Sequence, residues 1–267
     1  MSRKKKVAVV QFPGSNCEYE TVKAACHYGL DASILAWNVE FSVFDAFDAY
    51  FLPGGFSFQD RVRAGVLASK LPVVSWIAEK AKKGIPVLGI CNGCQILSEA
   101  GLVPDLSGEQ SIQVALAPNS KETRPFGFIC DWVFVRIRHP KACVFTTQFE
   151  EHDVLPIPVN HGEGHFILES ELQLSALTRL TYCRADGSED DLYPTNPNGS
   201  SQNIAGLSNA AGNVLALMPH PERASFLYQI PAWIDSDWAM RKRHQFKVGQ
   251  WQDTGPWEKL FLSLRDG

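Results

Sequence analysis

Residues 86–97 read Pro-Val-Leu-Gly-Ile-Cys-Asn-Gly-Cys-Gln-Ile-Leu, and this segment carries the clearest indication of the fold. Val87–Ile90 is a short apolar run that predicts a buried strand, and residues 94–100 predict a helix. Cys91 stands at the turn between them, with one glycine two positions before it and another two positions after it. A sharp strand-to-helix turn leaves room only for small residues beside its centre. The pattern therefore predicts a nucleophile elbow that holds Cys91 above the carboxyl end of its strand.

Cys91 and Cys94 also form a C-x-x-C pair after a strand, which is a spacing found in thioredoxin-like redox sites. That interpretation leaves the flanking glycines unexplained, but it stays open beside the nucleophilic one. A buried and inert Cys91 is a further alternative. Cys94 lies one helical turn beyond Cys91 and is interpreted as a small residue of the core.

Short apolar runs and helical patterns alternate through the first hundred residues. Strands are predicted at residues 7–12, 34–37, 49–52 and 87–90, and helices at residues 18–28, 71–83 and 94–100. This alternation predicts an α/β fold with a mostly parallel central sheet and helices on both faces. Beyond Pro104 the pattern changes to short alternating runs, which predict an antiparallel extension that ends in a hairpin of residues 204–207 and 214–218.

The composition is that of a globular protein, because 45% of the 267 residues are hydrophobic and 20% are charged. With 25 basic and 29 acidic residues the formal charge is −4, which argues against nucleic-acid and membrane-surface partners. No apolar run approaches the roughly 18 residues that cross a bilayer. The seven cysteines lack a zinc-ribbon spacing, so we expect a cytoplasmic protein without a resident metal.

A thiol nucleophile needs a base and a group that orients the base, and the segment Met-Pro-His-Pro-Glu-Arg at residues 218–223 supplies both. The two prolines exclude a helix and favour extended backbone, in which side chains alternate. His220 and Glu222 then share one face. The imidazole can accept the thiol proton while the carboxylate holds the other ring nitrogen. The alternative is a surface turn with a solvated glutamate.

Acyl transfer also needs N–H donors that face the tetrahedral oxygen. The backbone amide of Asn92 directly follows the nucleophile. A second donor is expected from Gly54 or Gly55 after the third predicted strand, because a residue without Cβ permits close approach. The alternative for these glycines is a turn that requires positive φ.

Six segments resemble class I glutamine amidotransferases, a flavodoxin-like family, and in particular the glutaminase subunits of phosphoribosylformylglycinamidine synthase. The segments are residues 13–17, 53–57, 91–95, 161–164, 198–200 and 218–224. The resemblance assigns the nucleophile, the base, the partner of the base and two oxyanion donors to Cys91, His220, Glu222, Gly55 and Asn92, in that order. It implies contacts with the substrate for Gly54, Gln95 and His161. A loop histidine with satisfied hydrogen bonds is the alternative for His161.

The chain contains neither a G-x-x-x-x-G-K-[ST] loop nor a G-x-G-x-x-G segment after a strand, so the sequence shows no ATP site. The resemblance implies a chain without a cofactor that hydrolyses L-glutamine to glutamate and ammonia for purine (IMP) biosynthesis. It places ATP and Mg²⁺ on a separate synthetase subunit, which converts formylglycinamide ribonucleotide to formylglycinamidine ribonucleotide. The resemblance also leaves open a small accessory subunit as a further member of this complex.

We expect a single amidotransferase domain over residues 1–267, with a variable C-terminal segment at about 226–267. The basic residues 240–247 are interpreted as a solvated helix face or a docking surface, and a last helix is expected after Gly255-Pro256. Two alternatives stay open for the function. One is a class I glutaminase or γ-glutamyl hydrolase of another pathway, and the other is a non-catalytic module with the same fold.

Overall fold

The computed structural model describes residues 3–119, 127–168, 174–249 and 252–267. The strands are β1 (Lys6–Gln11), β2 (Asp31–Ala36), β3 (Ala49–Leu52), β4 (Val87–Ile90), β5 (Val114–Ala117), β6 (Ile129–Ile137), β7 (Val154–His161), β8 (His165–Leu168), β9 (Thr178–Cys183), β10 (Ile204–Ser208) and β11 (Val214–Leu217). The α-helices are α1 (Glu18–His27), α2 (Phe41–Phe44), α3 (Val66–Ser69), α4 (Pro72–Lys82), α5 (Asn92–Glu99), α6 (Asp237–Val248) and α7 (Glu258–Asp266).

A nine-stranded sheet in the order β2-β1-β3-β4-β11-β10-β9-β6-β7 runs through the described part of the chain. The strands from β2 to β11 in this order are parallel. From β11 to β7 each neighbouring pair is antiparallel. Strands β5 and β8 form a separate antiparallel pair. The predicted α/β fold with an antiparallel extension is confirmed, as is the β10–β11 hairpin.

Helices cover both faces of this sheet. Tyr50 and Phe51 are neighbours in β3, so their side chains point to opposite faces. Tyr50 packs against Trp76 of α4, with ring centroids 5.4 Å apart. Phe51 packs against Phe261 of α7, with ring centroids 6.5 Å apart. Helices α4 and α7 therefore lie on opposite faces, as the sequence pattern predicts.

Strand β7 is an element that the sequence pattern does not predict, because Pro156 and Pro158 interrupt its alternation. It is the edge strand of the sheet and pairs with β6, where Trp132 lies opposite Pro158. Proline has no N–H to donate and is therefore tolerated in an edge strand, which has a neighbour on one side only. Because β7 lies at the edge of the sheet, its two prolines do not prevent it from forming a strand.

The carboxyl ends of three parallel strands lie side by side. Leu52 of β3 pairs with Gly89 of β4, and Ile90 of β4 pairs with Leu217 of β11. The segments that follow these strands therefore leave the sheet at one edge, which is where open α/β sheets bind their ligands. Residues 53–55, Cys91 and residues 218–220 all follow at this edge.

The C-terminal segment contains the predicted last helix, α7, and the more exposed helix α6. Phe246 of α6 is 82% exposed. The indole of Trp257, by contrast, is fully buried and its Nε1 donates to the backbone oxygen of Pro156 at 3.0 Å. Residues 250 and 251 lie outside the described residues, and the single domain over 1–267 stays a prediction. Across the described ranges, no helix has both the length and the apolar character that a bilayer span needs.

Candidate active site

Cys91 stands between β4 and α5 in a strained backbone conformation, with φ 51° and ψ −104°. Residues other than glycine rarely adopt such angles, and those that do cluster at functional sites. A Cβ at Gly93 would lie 1.9 Å from the backbone oxygen of Leu52, and one at Gly89 would lie 2.6 Å from the backbone oxygen of Gly93. Both positions therefore require glycine. This geometry is that of a nucleophile elbow.

The thiol of Cys91 is almost enclosed. The residue is 4% exposed, and its Sγ donates to the backbone oxygen of Asn160 at the end of β7, 3.4 Å away. Cys94 is fully buried in α5, and burial raises the pKa of its thiol well above the ordinary value. A buried thiol of this kind exchanges poorly with disulfides. The surroundings of Cys94 agree with a core residue better than with a redox partner.

His220 and Glu222 form a buried pair, with Nδ1 and Oε1 2.6 Å apart. An ionised carboxylate only accepts hydrogen bonds, so Nδ1 carries a proton, and in the neutral ring Nε2 keeps its lone pair. The predicted extended backbone is wrong beyond His220, because Pro221–Arg223 forms a 3-10 turn. Proline is tolerated at the first position of such a turn, where its missing N–H is not needed. The turn brings the carboxylate onto the ring.

The electrostatics of the imidazole are set by its neighbours. Burial disfavours the charged ring, but the charge of Glu222, followed by that of Cys91, raises the pKa of His220 well above its ordinary value. Within the described residues, Nε2 of His220 has no hydrogen-bond partner. This nitrogen is therefore available to exchange a proton with a reacting group.

Gly54 and Gly55, the two glycines that follow β3, lie in close contact with their neighbours at the same edge of the sheet. A Cβ at Gly54 would lie 2.7 Å from Cε1 of His220, and one at Gly55, which has φ 147°, would lie 2.7 Å from Cα of Ser15. The absence of a Cβ is therefore required at both glycines. The backbone N–H of Asn92 is the first of α5 and has no acceptor within the helix. The roles of Gly55 and Asn92 as oxyanion donors stay predictions.

The side chain of Asn92 ties the loop after β3 to helix α5. Its Oδ1 accepts from the backbone N–H of Ser57 at 3.2 Å, and its Nδ2 donates to Oε1 of Gln95 at 2.9 Å. A longer contact of 3.4 Å joins Nδ2 to Oδ1 of Asp60. Gln95 in turn donates through Nε2 to the backbone oxygen of Glu163 at 2.6 Å. These bonds hold Gln95 beside the elbow, while its contact with substrate stays a prediction.

The loop after β3 contains a run of residues with positive φ, which are Phe58 (54°), Gln59 (61°), Asp60 (50°) and Val62 (74°). Side chains other than glycine rarely adopt this region, and such strain is concentrated near functional sites. Burial, followed by the charge of Glu163, raises the pKa of Asp60 to about 6. The loop therefore combines backbone strain with a perturbed carboxyl close to the elbow.

His161 ends β7 as a buried, neutral side chain that is 2% exposed. Its Nδ1 donates to Oδ1 of Asn119 at 3.1 Å, and its Nε2 lies 3.5 Å from Nδ2 of Asn198. Burial, followed by the charge of His220, lowers the pKa of His161 to about 3. Both ring nitrogens contact protein groups, which agrees with a satisfied loop histidine. The predicted contact with glutamine stays a prediction.

Comparison with known proteins supplies the family. Residues 4–266 match the model of the CobB/CobQ-like glutamine amidotransferase domain. The chain is 42% identical to phosphoribosylformylglycinamidine synthase subunit PurQ of Methanothrix thermoacetophila, over 97% of each chain. The chain belongs to the PurQ family of glutamine amidotransferases. A PurQ subunit of Pyrococcus furiosus is 40% identical and matches 84% of this PurQ-family chain and 91% of its own length. The resemblance based on the six segments is confirmed.

A solved structure shares the fold of this PurQ-family chain. A chain in the structure of PurLQS from Thermotoga maritima superposes with a TM-score of 0.73 at 30% identity, over 99% of both chains. The predicted amidotransferase fold is therefore confirmed. This PurQ-family chain is a glutamine amidotransferase, and its predicted site residues surround the carboxyl edge of the parallel strands.

Two residues near His220 in this PurQ-family chain, Cys17 and Arg223, are not predicted from the sequence to lie there. Sγ of Cys17 lies 3.9 Å from Nδ1 of His220 and donates to Oδ1 of Asn16 at 3.0 Å. Arg223 donates through Nη2 to the same sulfur at 3.2 Å. Burial raises the pKa of the Cys17 thiol. Cys17 does lie in the first of the six segments, but no local pattern links it to His220.

Proposed function

We propose that this chain hydrolyses L-glutamine to glutamate and ammonia through Cys91, His220 and Glu222, and supplies the ammonia to the synthetase subunit of phosphoribosylformylglycinamidine synthase. One observation supports this most. Cys91, whose backbone is strained, follows β4, and the buried pair of His220 and Glu222 follows the neighbouring strand β11 at the same edge of the sheet. The 42% identity to a PurQ subunit supports the pathway.

In the first half of the proposed reaction, Sγ of Cys91 attacks the side-chain carbonyl carbon of glutamine. Its proton passes to Nε2 of His220, which has no competing partner among the described residues. The N–H groups of Gly55 and Asn92 stabilise the negative charge on the tetrahedral oxygen. The imidazolium then gives the proton to the departing nitrogen, and ammonia leaves a γ-glutamyl thioester on Cys91.

In the second half, His220 takes a proton from water, which attacks the thioester carbonyl. Collapse of the second tetrahedral intermediate releases glutamate and restores the Cys91 thiol. Glu222 keeps Nδ1 protonated throughout and stabilises the imidazolium each time it forms. The elbow supports the role of Cys91 as the nucleophile, because it holds the sulfur in a fixed place while the substrate is bound.

The ammonia is consumed elsewhere in this proposal. A separate synthetase subunit binds ATP and Mg²⁺ and converts formylglycinamide ribonucleotide to formylglycinamidine ribonucleotide. The likeness to a chain of the PurLQS structure supports assembly into a complex of that kind. A small accessory subunit belongs to the same proposal.

The test is ammonia release from L-glutamine by the purified chain, alone and with the synthetase subunit, ATP, Mg²⁺ and formylglycinamide ribonucleotide. Cys91→Ala is expected to lower kcat by about 10³-fold or more, since the covalent route is lost. Cys94→Ala on the next turn is the matched control and should keep most of the activity. His220→Ala should resemble Cys91→Ala, whereas Glu222→Gln should be milder.

Comparable losses in Cys91→Ala and Cys94→Ala would overturn the assigned nucleophile and favour the redox pair. A γ-glutamyl dipeptide assayed in parallel separates the amidotransferase from a γ-glutamyl hydrolase. Faster turnover of the dipeptide than of glutamine, with no response to the synthetase subunit, would contradict the proposed pathway.

A further inference from the structure

The thiol of Cys17 gives the imidazole–carboxylate pair a third metal-binding group. Sγ of Cys17, a ring nitrogen of His220 and a carboxylate oxygen of Glu222 all lie within 4.8 Å of one another, and all three residues are buried. The sulfur is 3.9 Å from Nδ1, and Nδ1 is 2.6 Å from Oε1. Cys17 approaches the ring at the nitrogen that faces the carboxylate.

This set of donors has the chemistry of a zinc site. Zn²⁺ prefers cysteine sulfur at about 2.3 Å, histidine nitrogen at about 2.0 Å and carboxylate oxygen at a similar distance, in tetrahedral geometry. Those bond lengths put sulfur and nitrogen about 3.6 Å apart, close to the 3.9 Å between Cys17 and His220. They put nitrogen and oxygen about 3.3 Å apart, so the carboxylate of Glu222 must move back from its 2.6 Å contact with Nδ1 to admit the ion. Magnesium and calcium disfavour sulfur and nitrogen ligands. The donor set therefore selects zinc over these two ions.

A second observation points to a ligand at the same place. Glu222 is 0% exposed, yet among the described residues its Oε2 has no hydrogen-bond partner. A buried carboxylate oxygen without a partner is costly unless a ligand or ion satisfies it. In the pair without metal, Oε1 holds the ring; a cation bound at Nδ1 would replace that hydrogen bond and take the carboxylate as a ligand.

We propose that Cys17, His220 and Glu222 form an inhibitory zinc site that, when filled, disables the base. Zn²⁺ would bind the Cys17 thiolate, whose proton leaves to solvent, together with the Glu222 carboxylate and Nδ1 of a neutral His220. Two negative ligands balance the two charges of the ion, so the buried site stays neutral. The inhibition, though not the binding, rests on the proposed function.

Inhibition follows from the tautomer of the ring. In the pair without metal, the proton lies on Nδ1 and the lone pair of Nε2 can accept the thiol proton of Cys91. A metal at Nδ1 occupies the lone pair there, so the single proton of a neutral imidazole moves to Nε2. A protonated Nε2 cannot accept a further proton from Cys91. The zinc form therefore lacks its general base.

Arg223 limits the affinity of this site. Its Nη2 lies 3.2 Å from the Cys17 sulfur, and its Nε donates to Oε1 of Glu20 at 2.5 Å. The guanidinium stabilises a thiolate, but it repels a cation placed next to that sulfur. We therefore expect weaker binding than at structural zinc sites, and binding that can be reversed with a chelator.

Binding is tested in the Cys91→Ala background, which removes the nucleophile as a competing zinc ligand and makes catalysis irrelevant. Calorimetric titration with ZnCl₂ should show one ion bound per chain. Adding Cys17→Ser, or Cys17→Ala if the serine variant folds poorly, should weaken binding at least tenfold. Adding Cys26→Ser, which removes an exposed thiol instead, is the matched control and should change nothing. Equal affinity with and without Cys17 would overturn the site.

Cobalt(II) gives a readout that a purely structural role of Cys17 would not produce. A thiolate-to-cobalt charge-transfer band is expected in Cys91→Ala and should disappear when Cys17 is also replaced. Absence of the band in Cys91→Ala would refute the sulfur ligand.

Inhibition is tested separately on the chain with Cys91 intact. Zinc should inhibit glutamine hydrolysis, and EDTA should restore it. The Cys17→Ser chain, compared with its own rate without zinc, should need at least tenfold more zinc for the same inhibition. Equal sensitivity of the two chains would place the inhibitory ion on Cys91 and overturn the mechanism. An absence of glutamine hydrolysis without zinc would instead refute the proposed function and leave the binding result standing.

Discussion

The buried histidine at the end of β7 makes stability depend on pH in a direction that can be measured. His161 is 2% exposed, and its Nδ1 donates to Oδ1 of Asn119 at 3.1 Å. Burial, followed by the charge of His220, lowers the pKa of His161 to about 3. His161→Gln keeps an amide donor and an acceptor at this position and removes the titratable ring. The variant therefore isolates the contribution of proton binding.

The magnitude follows from the two pKa values. An unfolded histidine binds its proton below about pH 6.5, whereas folded His161 does so only below about 3. Between these values the unfolded chain holds the extra proton, so the free energy of unfolding falls as the pH falls. The loss is about 1.36 kcal/mol per pH unit, which amounts to about 2 kcal/mol at pH 5. Above about pH 6.5 this loss is absent.

The assay is urea unfolding of the wild-type chain and the variant at about pH 7 and pH 5. Each protein is compared with itself, so the cost of the substitution at neutral pH cancels. The wild-type chain should lose about 2 kcal/mol more than His161→Gln. His244→Gln, on the exposed side of α6, is the matched control and should behave like the wild type. An equal loss of unfolding free energy in the wild type and in His161→Gln would show that folded His161 binds a proton as readily as the unfolded chain, and it would refute the lowered pKa.

Two further substitutions test the elbow and its strained neighbour loop. Gly93→Ala should destabilise the fold by about 3 kcal/mol, because its Cβ would lie 1.9 Å from the backbone oxygen of Leu52. Gly162→Ala is the control and should leave Tm unchanged, because its Cβ would meet its nearest atom only at 3.9 Å. Burial, followed by the charge of Glu163, raises the pKa of Asp60 to about 6, so ionisation of this carboxyl destabilises the folded chain relative to the unfolded chain as the pH rises to that value. Asp60→Asn should therefore stabilise the chain at pH 8 by about 1 kcal/mol, a value reduced because the side chain is partly exposed to solvent. Urea unfolding should show no such gain at about pH 4, and a gain that persists there would contradict the assigned carboxyl.

The elbow is the part of the site that local sequence determines. The glycine two positions before Cys91 is required by contacts with Gly93 and Leu97 of α5, which the strand–turn–helix pattern already implies. The glycine two positions after Cys91 is required by Leu52 of β3, a contact that only the sheet supplies. The alternation of apolar runs and helices likewise determines a parallel α/β sheet. Such features depend on backbone sterics over a few residues, and those interactions are the same in any fold.

The pair of His220 and Glu222 is an intermediate case. Their separation by two positions is enough to predict that one carboxylate can hold the ring. The backbone that achieves it is a 3-10 turn rather than the extended segment that the prolines suggest. Proline excludes a long helix but permits a single turn at its first position, and the surrounding packing decides between the turn and a strand.

The distant groups that contact Cys91 and His220 depend on the tertiary structure. The backbone oxygen of Asn160 that accepts from Cys91 lies 69 positions away, on a strand whose two prolines conceal it from pattern analysis. Cys17 reaches His220 across 203 positions. Both contacts follow from the strand order, which places β7 at the far edge and β1 two strands from β4. That order is selected by burying the whole sheet at once, and no short stretch of sequence contains this information.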